Sequence, residues 1–249
     1  NRMVEEMCKD ESYGIHKYGN KEKIASLSGK DVFAEWKKIL TTSPVQINAV
    51  GSFDIEKIES ITSSYFDRLQ RKRADIIEIR TEFLTESYDS KTVRETQKVK
   101  QGKLVIGMRA GMTFDFDNYP AIRLMTAIFG GGTFSKLFMN VREKLSLCYY
   151  CSSTYSLYSG DLIVSSGIEV QNREKAEREI LHQLDNIRNG KISDAEFSAA
   201  LRALENTYRQ ILDNPLDLQA FYATRGMFVI YDTIETTLKK ILCVTVDDV

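Results

Sequence analysis

Residues 23 to 32 read KIASLSGKDV and residues 240 to 249 read KILCVTVDDV, one K-I-x-x-apolar-[ST]-x-x-D-V pattern written twice, 217 positions apart. Two readings are open. The stretches are unrelated helix starts, since Ser or Thr followed three residues later by an acid is a common capping box. Alternatively they are copies of one unit. In that case the chain enters its first unit part-way through and leaves its second part-way through. The second reading constrains the fold most, because every element between the copies must then belong to one of two homologous domains.

Those elements alternate in type. Residues 32 to 41, VFAEWKKILT, carry apolar groups at helical spacing behind Ser28 and Asp31, a capping box. VQINAVG at 45 to 51 alternates and ends in glycine, which predicts a strand. A helix is expected over 54 to 69, with Asp54 at its positive end. Residues 70 to 102 are polar and charged, and the pieces IIEIRTEF and KTVRETQKV fit an exposed strand or an extended connection. The division expected from this is 1–72, a connecting segment 73–100, and 101–249.

The second part opens with KLVIGMRAGM, a strand ended by Gly111. YPAIRLMTAIF predicts a helix with Pro120 in its first turn. FGGGTFSKLFMNVREKL is a glycine break and another helix, and CYYCSSTYSLY with GDLIVSSGIEV predicts a hairpin turning at Gly160. An amphipathic helix follows, stopped by Gly190, and Ser193 with Glu196 caps a long helix broken near Asn214-Pro215. The fold class is therefore α+β, a mostly antiparallel sheet with helices packed on one face.

Composition excludes several functions. With Lys+Arg 34 against Asp+Glu 35, the net charge of -1 gives no broad attraction to nucleic acid or anionic membrane. No apolar run approaches a bilayer span. Four cysteines in 249 residues do not make a secreted disulfide framework, so a reducing cytoplasm is expected.

Candidate sites are few. Cys148 and Cys151 form a C-x-x-C, but on a strand such residues point to opposite faces about 10 Å apart, beyond disulfide reach. They read as small packing thiols, and two lone histidines, His16 and His182, offer no zinc set with them. FGGGTFSK lacks the spacing of a phosphate loop, although the backbone of Gly130, Gly131 and Gly132 could approach an extended peptide. Arg142 and Tyr149 remain, at a helix-to-strand corner. A forked cation and a phenol suit a peptide carbonyl or a developing oxyanion, while the plainer alternative is an Arg that caps its helix and a Tyr that packs.

At these residues the sequence resembles the insulinase/pitrilysin peptidases, which include the processing peptidases. FGGGTFSKLFMNVREKLSLCYY is similar to the signature of that family's second domain, and the likeness runs on through GIEVQNREKAEREI and GKISDAEFSAAL. Residues 13 to 70 are similar to the end of its first domain, and the likeness is strongest to the non-catalytic Gram-positive kind. The resemblance implies tandem α+β domains closing around a peptide, with zinc held by an inverted H-x-x-E-H helix in the first domain. It implies substrate contact by Arg142 and Tyr149. No H-x-x-E-H occurs in these 249 residues. The expectation is a chain that holds no catalytic residue and no zinc, cleaves nothing alone, and serves a zinc-bearing homologous domain or subunit. An interrupted domain also exposes apolar surface, which predicts self-association that buries it, as in a homodimer.

Overall fold

The computed structural model describes residues 2–69, 71–72, 90–110, 117–157, 159–227, 230 and 232–249. Its helices are α1 (Arg2–Met7), α2 (Lys21–Ala25), α3 (Gly29–Thr42), α4 (Ile55–Arg68), α5 (Tyr119–Gly130), α6 (Arg173–Arg188), α7 (Asp194–Ile211), α8 (Pro215–Met227) and α9 (Ile234–Leu242). A π-helix spans Leu137–Lys144, and the strands are β1 (Gly102–Arg109), β2 (Cys148–Ser156) and β3 (Asp161–Ile168). By compactness the chain falls into two units. One combines Asn1–Ile15, Thr81–Arg209 and Thr233–Val249, and the other His16–Arg80 and Gln210–Asp232.

In the first unit β3 lies between β1 and β2 and pairs antiparallel with both. Gly160 turns the β2–β3 hairpin at φ 64°, where a side chain would be strained. Alternation puts Cys151, Ser153, Val164 and Ile106 on one face, and α5 covers it: Ser153 donates to the Thr126 carbonyl at 3.2 Å. Leu124, Ile128, Phe129, Leu137, Val141, Val164, Ile180, Ile234 and Ile241 are almost wholly excluded from solvent. Each such side chain contributes roughly 2 kcal/mol by leaving water. This is the predicted α+β layer.

The opposite face also carries chain. Gly107 faces the sulfurs of Met3 and Met7, which would lie 2.3 and 2.8 Å from a β-carbon placed there. Beside them Arg109 pairs with Glu11, donates to the Met7 carbonyl at 3.2 Å and stands 3.3 Å from Asp161. Asp161 is fully buried and accepts from the Cys8 thiol at 3.8 Å. Burial pushes the Asp161 carboxyl above its ordinary value and the Cys8 thiol up to about 11.

In the second unit α3 and α4 form where predicted. Ser28 and Asp31 make the reciprocal capping box, and Asp54 caps α4. The strand expected at 45–51 does not form among the described residues: residues 44–50 have no ladder partner there, and Gln46 donates to the Ala223 carbonyl of α8 at 3.2 Å. An alternating sequence becomes a strand only when a second backbone accepts its hydrogen bonds. Of the two pieces expected as an exposed strand or an extended connection, KTVRETQKV is exposed and forms no strand among the described residues, which leaves the connection, while IIEIRTEF, like Gly111, lies outside the described residues.

Candidate functional site

The glycine turn is set by space. Gly130 is buried, and a β-carbon on it would fall 2.4 Å from the Ser153 backbone nitrogen, so the end of α5 meets β2 closely only because no side chain intervenes. At Gly131 the same atom would lie 2.6 Å from the Ala127 α-carbon, and at Gly132 it would lie 2.8 Å from the Phe134 ring. Of the three, Gly131 is exposed, Gly132 half-buried, and Gly130 turned toward β2.

The helix predicted after this turn is wound more widely than an α-helix, and Leu145 donates five residues back to the Asn140 carbonyl at 3.2 Å. Such turns concentrate at functional sites. Two contacts fix it. Lys136, 5% exposed, donates to both carboxylate oxygens of Glu196 at 2.9 and 3.0 Å. Asn140 donates to Gln183 of α6 at 3.2 Å. With Leu137 and Val141 buried beneath, Arg142 is left half-exposed, its guanidinium 4.6 Å from the Phe138 ring centroid and 3.6 Å from Glu143.

The chain then passes through Ser146, a non-glycine residue at φ 49°, and enters β2 through a bulge. Cys148 is opposite Ile168 and Tyr150 opposite Gly167, so Tyr149 is the extra residue. Tyr149 (57%) and Tyr150 (41%) are therefore both exposed, and the alternation restarts one residue late. The expectation that Cys148 and Cys151 face opposite sides is overturned for this reason. The extra residue brings both thiols to the inner side, Cys148 half-buried and Cys151 buried. The Cys151 thiol lies toward Cys148, and the positive Arg142 adds to its effect, holding the Cys148 thiol down to about 7. Cys151 moves the other way, since its proton is held toward Cys148 and its burial opposes charge.

Arg142 and Tyr149 thus flank Cys148, one on the π-helix and the other on the bulge of the strand packed against it. Sequence reasoning missed what holds them. It found Ser193 and Glu196 as a capping box, present here with Ser193 donating at 2.9 Å, but not the second use of Glu196 as the partner of Lys136. His16 accepts from the Tyr18 backbone in an exposed turn, and His182 is exposed on α6. No three His, Cys, Asp or Glu side chains gather into a metal-holding group among the described residues. Among the described residues, therefore, no side-chain set fits a catalytic zinc. Nor is any described helix long and apolar enough to cross a membrane.

Comparison with known proteins agrees on one family. The model of the peptidase M16 inactive domain matches residues 26–204. The chain is 31% identical over 248 residues to the probable inactive metalloprotease YmfF of Bacillus subtilis, covering all of this chain and 58% of that protein. An uncharacterized zinc protease of Rickettsia felis is 25% identical over 158 residues, 64% of this chain and 37% of that one. Among solved structures, a conserved protein from Enterococcus faecalis superposes with a TM-score of 0.79 at 27% identity, over 96% of this chain and 56% of that one. A peptidase M16 inactive domain from Pseudomonas fluorescens gives 0.69 at 16%, over 95% and 56%. The chain spans about half the length of these relatives or less. On its sequence and its α+β architecture, this chain belongs to the peptidase M16 inactive-domain family.

Proposed function

We propose that this chain is the non-catalytic, substrate-binding portion of an M16-type zinc metallopeptidase acting on peptides. The observation that supports it best is the corner itself, where a half-exposed Arg142 and an exposed Tyr149 stand on either side of Cys148 on a braced π-helix and a bulged strand. The guanidinium and the phenol are donors suited to peptide carbonyls or to charge developing on them. Residues 1–72 form the end of a first homologous domain on this reading, and 101–249 most of a second. Zinc and its general base belong to a catalytic homologous half, in the same polypeptide or a partner subunit, within the cytoplasm. Alone, the chain binds no stoichiometric zinc and cleaves nothing.

The row Val32, Phe33, Trp36 and Ile39 on α3, each at least half exposed, supports a partner that covers it, either that half or a second copy in a homodimer. A second reading, a structural homologue with no part in proteolysis, is favoured by the inactive status in the name of the Bacillus subtilis relative. The test is made in the complete assembly with a fluorescently labelled unstructured peptide. Arg142→Ala and Tyr149→Ala are each expected to weaken binding about tenfold, the loss of one charge-assisted or buried hydrogen bond. Unchanged binding and turnover in both variants would transfer the chain to the second reading.

A further inference from the structure

The bulge at Tyr149 converts a C-x-x-C that a regular strand would hold apart into a pair of thiols on one side of the sheet, beneath two exposed tyrosines. Ser166, opposite Cys151 in the register, faces both sulfurs and spends its own proton on the Tyr150 carbonyl at 3.0 Å. The two cysteines also differ as an attacking and a resolving thiol should. Cys148 is reachable from solvent and has Arg142 nearby, while Cys151 is enclosed. Cys8 is instead buried between Asp161 and Arg109, and Cys243 is exposed at the end of α9.

We propose that Cys148 and Cys151 are a reversible redox modification site, oxidised by peroxide to an intrachain disulfide that resets the bulge carrying Tyr149. In the first step the Cys148 thiolate attacks peroxide: an S–O bond forms, the O–O bond breaks, and a sulfenic acid and hydroxide result. The hydroxide takes up the proton that Cys148 had released. In the second step the Cys151 sulfur attacks the sulfenic sulfur, the S–S bond forms, and the S–O bond breaks. The oxygen leaves as water with the proton of Cys151. Two thiols lose two electrons, and one peroxide is reduced to two waters. A dithiol reductant reverses the step by exchange.

Geometry links this chemistry to Tyr149. Strand residues three apart lie about 10 Å apart, whereas a disulfide requires α-carbons within about 7 Å. The bulge already turns both thiols the same way. Closing the bond draws in the ends of the Cys148–Cys151 segment, and the two residues between them, Tyr149 and Tyr150, must reorient.

The experiment treats the intact chain with hydrogen peroxide near neutral pH, alkylates the remaining thiols, and maps peptides by mass spectrometry. A Cys148–Cys151 bond is expected, with loss of two hydrogen masses and full return on reduction, and Cys243 should react at least tenfold more slowly. Cys148→Ser should abolish the bond, and Cys151→Ser should leave a sulfenic acid on Cys148 that a dimedone probe captures. Hydrogen exchange at the amides of Tyr149 and Tyr150 should change on oxidation. Absence of this bond in the unsubstituted chain, or bonds between chains only, would overturn the site. A bond formed with exchange unaltered would overturn the resetting of the bulge.

Discussion

Lys136 and Glu196, 60 residues apart, form a two-pronged ion pair in which the ammonium is almost wholly buried. The pair joins the start of the π-helix that presents Arg142 to the first turn of α7. Removing either partner is costly, because the other charge would stay in a poorly solvated place. Glu196→Gln should lower stability by about 3 kcal/mol in urea unfolding, while Lys136→Met, which leaves the more exposed partner behind, should cost less.

Glu196 also gives a pH signature. Although burial raises its pKa, the bonds from Ser193 and Lys136 together bring it below the ordinary 4.5. A carboxylate depressed in the folded state stabilises above its unfolded value, and that contribution is lost as pH falls through the lower folded value. Unfolding midpoints measured downward from pH 5 should fall in the parent chain and fall less in Glu196→Gln.

Asp161 should behave in the opposite sense. Burial raises its pKa above the ordinary 3.8, so the folded chain holds that proton more tightly than the unfolded one. Its contribution is present below the unfolded value and is lost as pH rises through the folded value. Asp161→Asn should therefore flatten the decline in stability that begins above about pH 4 in the parent. Arg109→Met, which leaves both Glu11 and Asp161 without their cation, should cost about 3 to 5 kcal/mol.

Gly130→Ala places a methyl group 2.4 Å from a backbone nitrogen of β2, an atom that cannot swing away. Overpacking of this kind costs about 1 to 3 kcal/mol. Thermal unfolding should show the loss, and a double substitution with Ser153→Gly should not restore it, because the blocking atom is main chain.

Ile24 and Ile241 occupy the same place in the repeated pattern, 217 positions apart, yet Ile24 is 52% exposed and Ile241 fully buried. Ile241→Ala should destabilise by about 2 to 5 kcal/mol, whereas Ile24→Ala in this chain should stay within about 0.5 kcal/mol. Chemical denaturation of the two variants compares the copies directly.

The repeat shows how far sequence reaches. Ser28 bonds Asp31 as Thr245 bonds Asp248, and Leu27 donates to Ile24 as Val244 donates to Ile241, at 3.1 and 3.2 Å. In both copies the capping bonds lower the pKa of the acid. These bonds span three residues, so the ten-residue pattern contains both partners and dictates the geometry wherever it occurs. The caps of α3 and α4, the turn at Gly160 and the stop at Gly190 were legible for the same reason. The positions of Arg142 and Tyr149 at a helix-to-strand corner were legible from the order of elements.

What depended on distant chain was not. The burial of Ile241 and the exposure of Ile24 differ because α5 packs against α9 in the first unit, and the sequence around either isoleucine contains no trace of that helix. Residues 44–50 alternate like a strand and form no ladder among the described residues, since a ladder needs a second backbone. The facing of Cys148 and Cys151 reversed on one bulged residue, whose position is fixed by the register with β3. Short-range hydrogen bonds were written in the local sequence, while register, bulge and burial were decided by whichever segment the tertiary fold brought alongside.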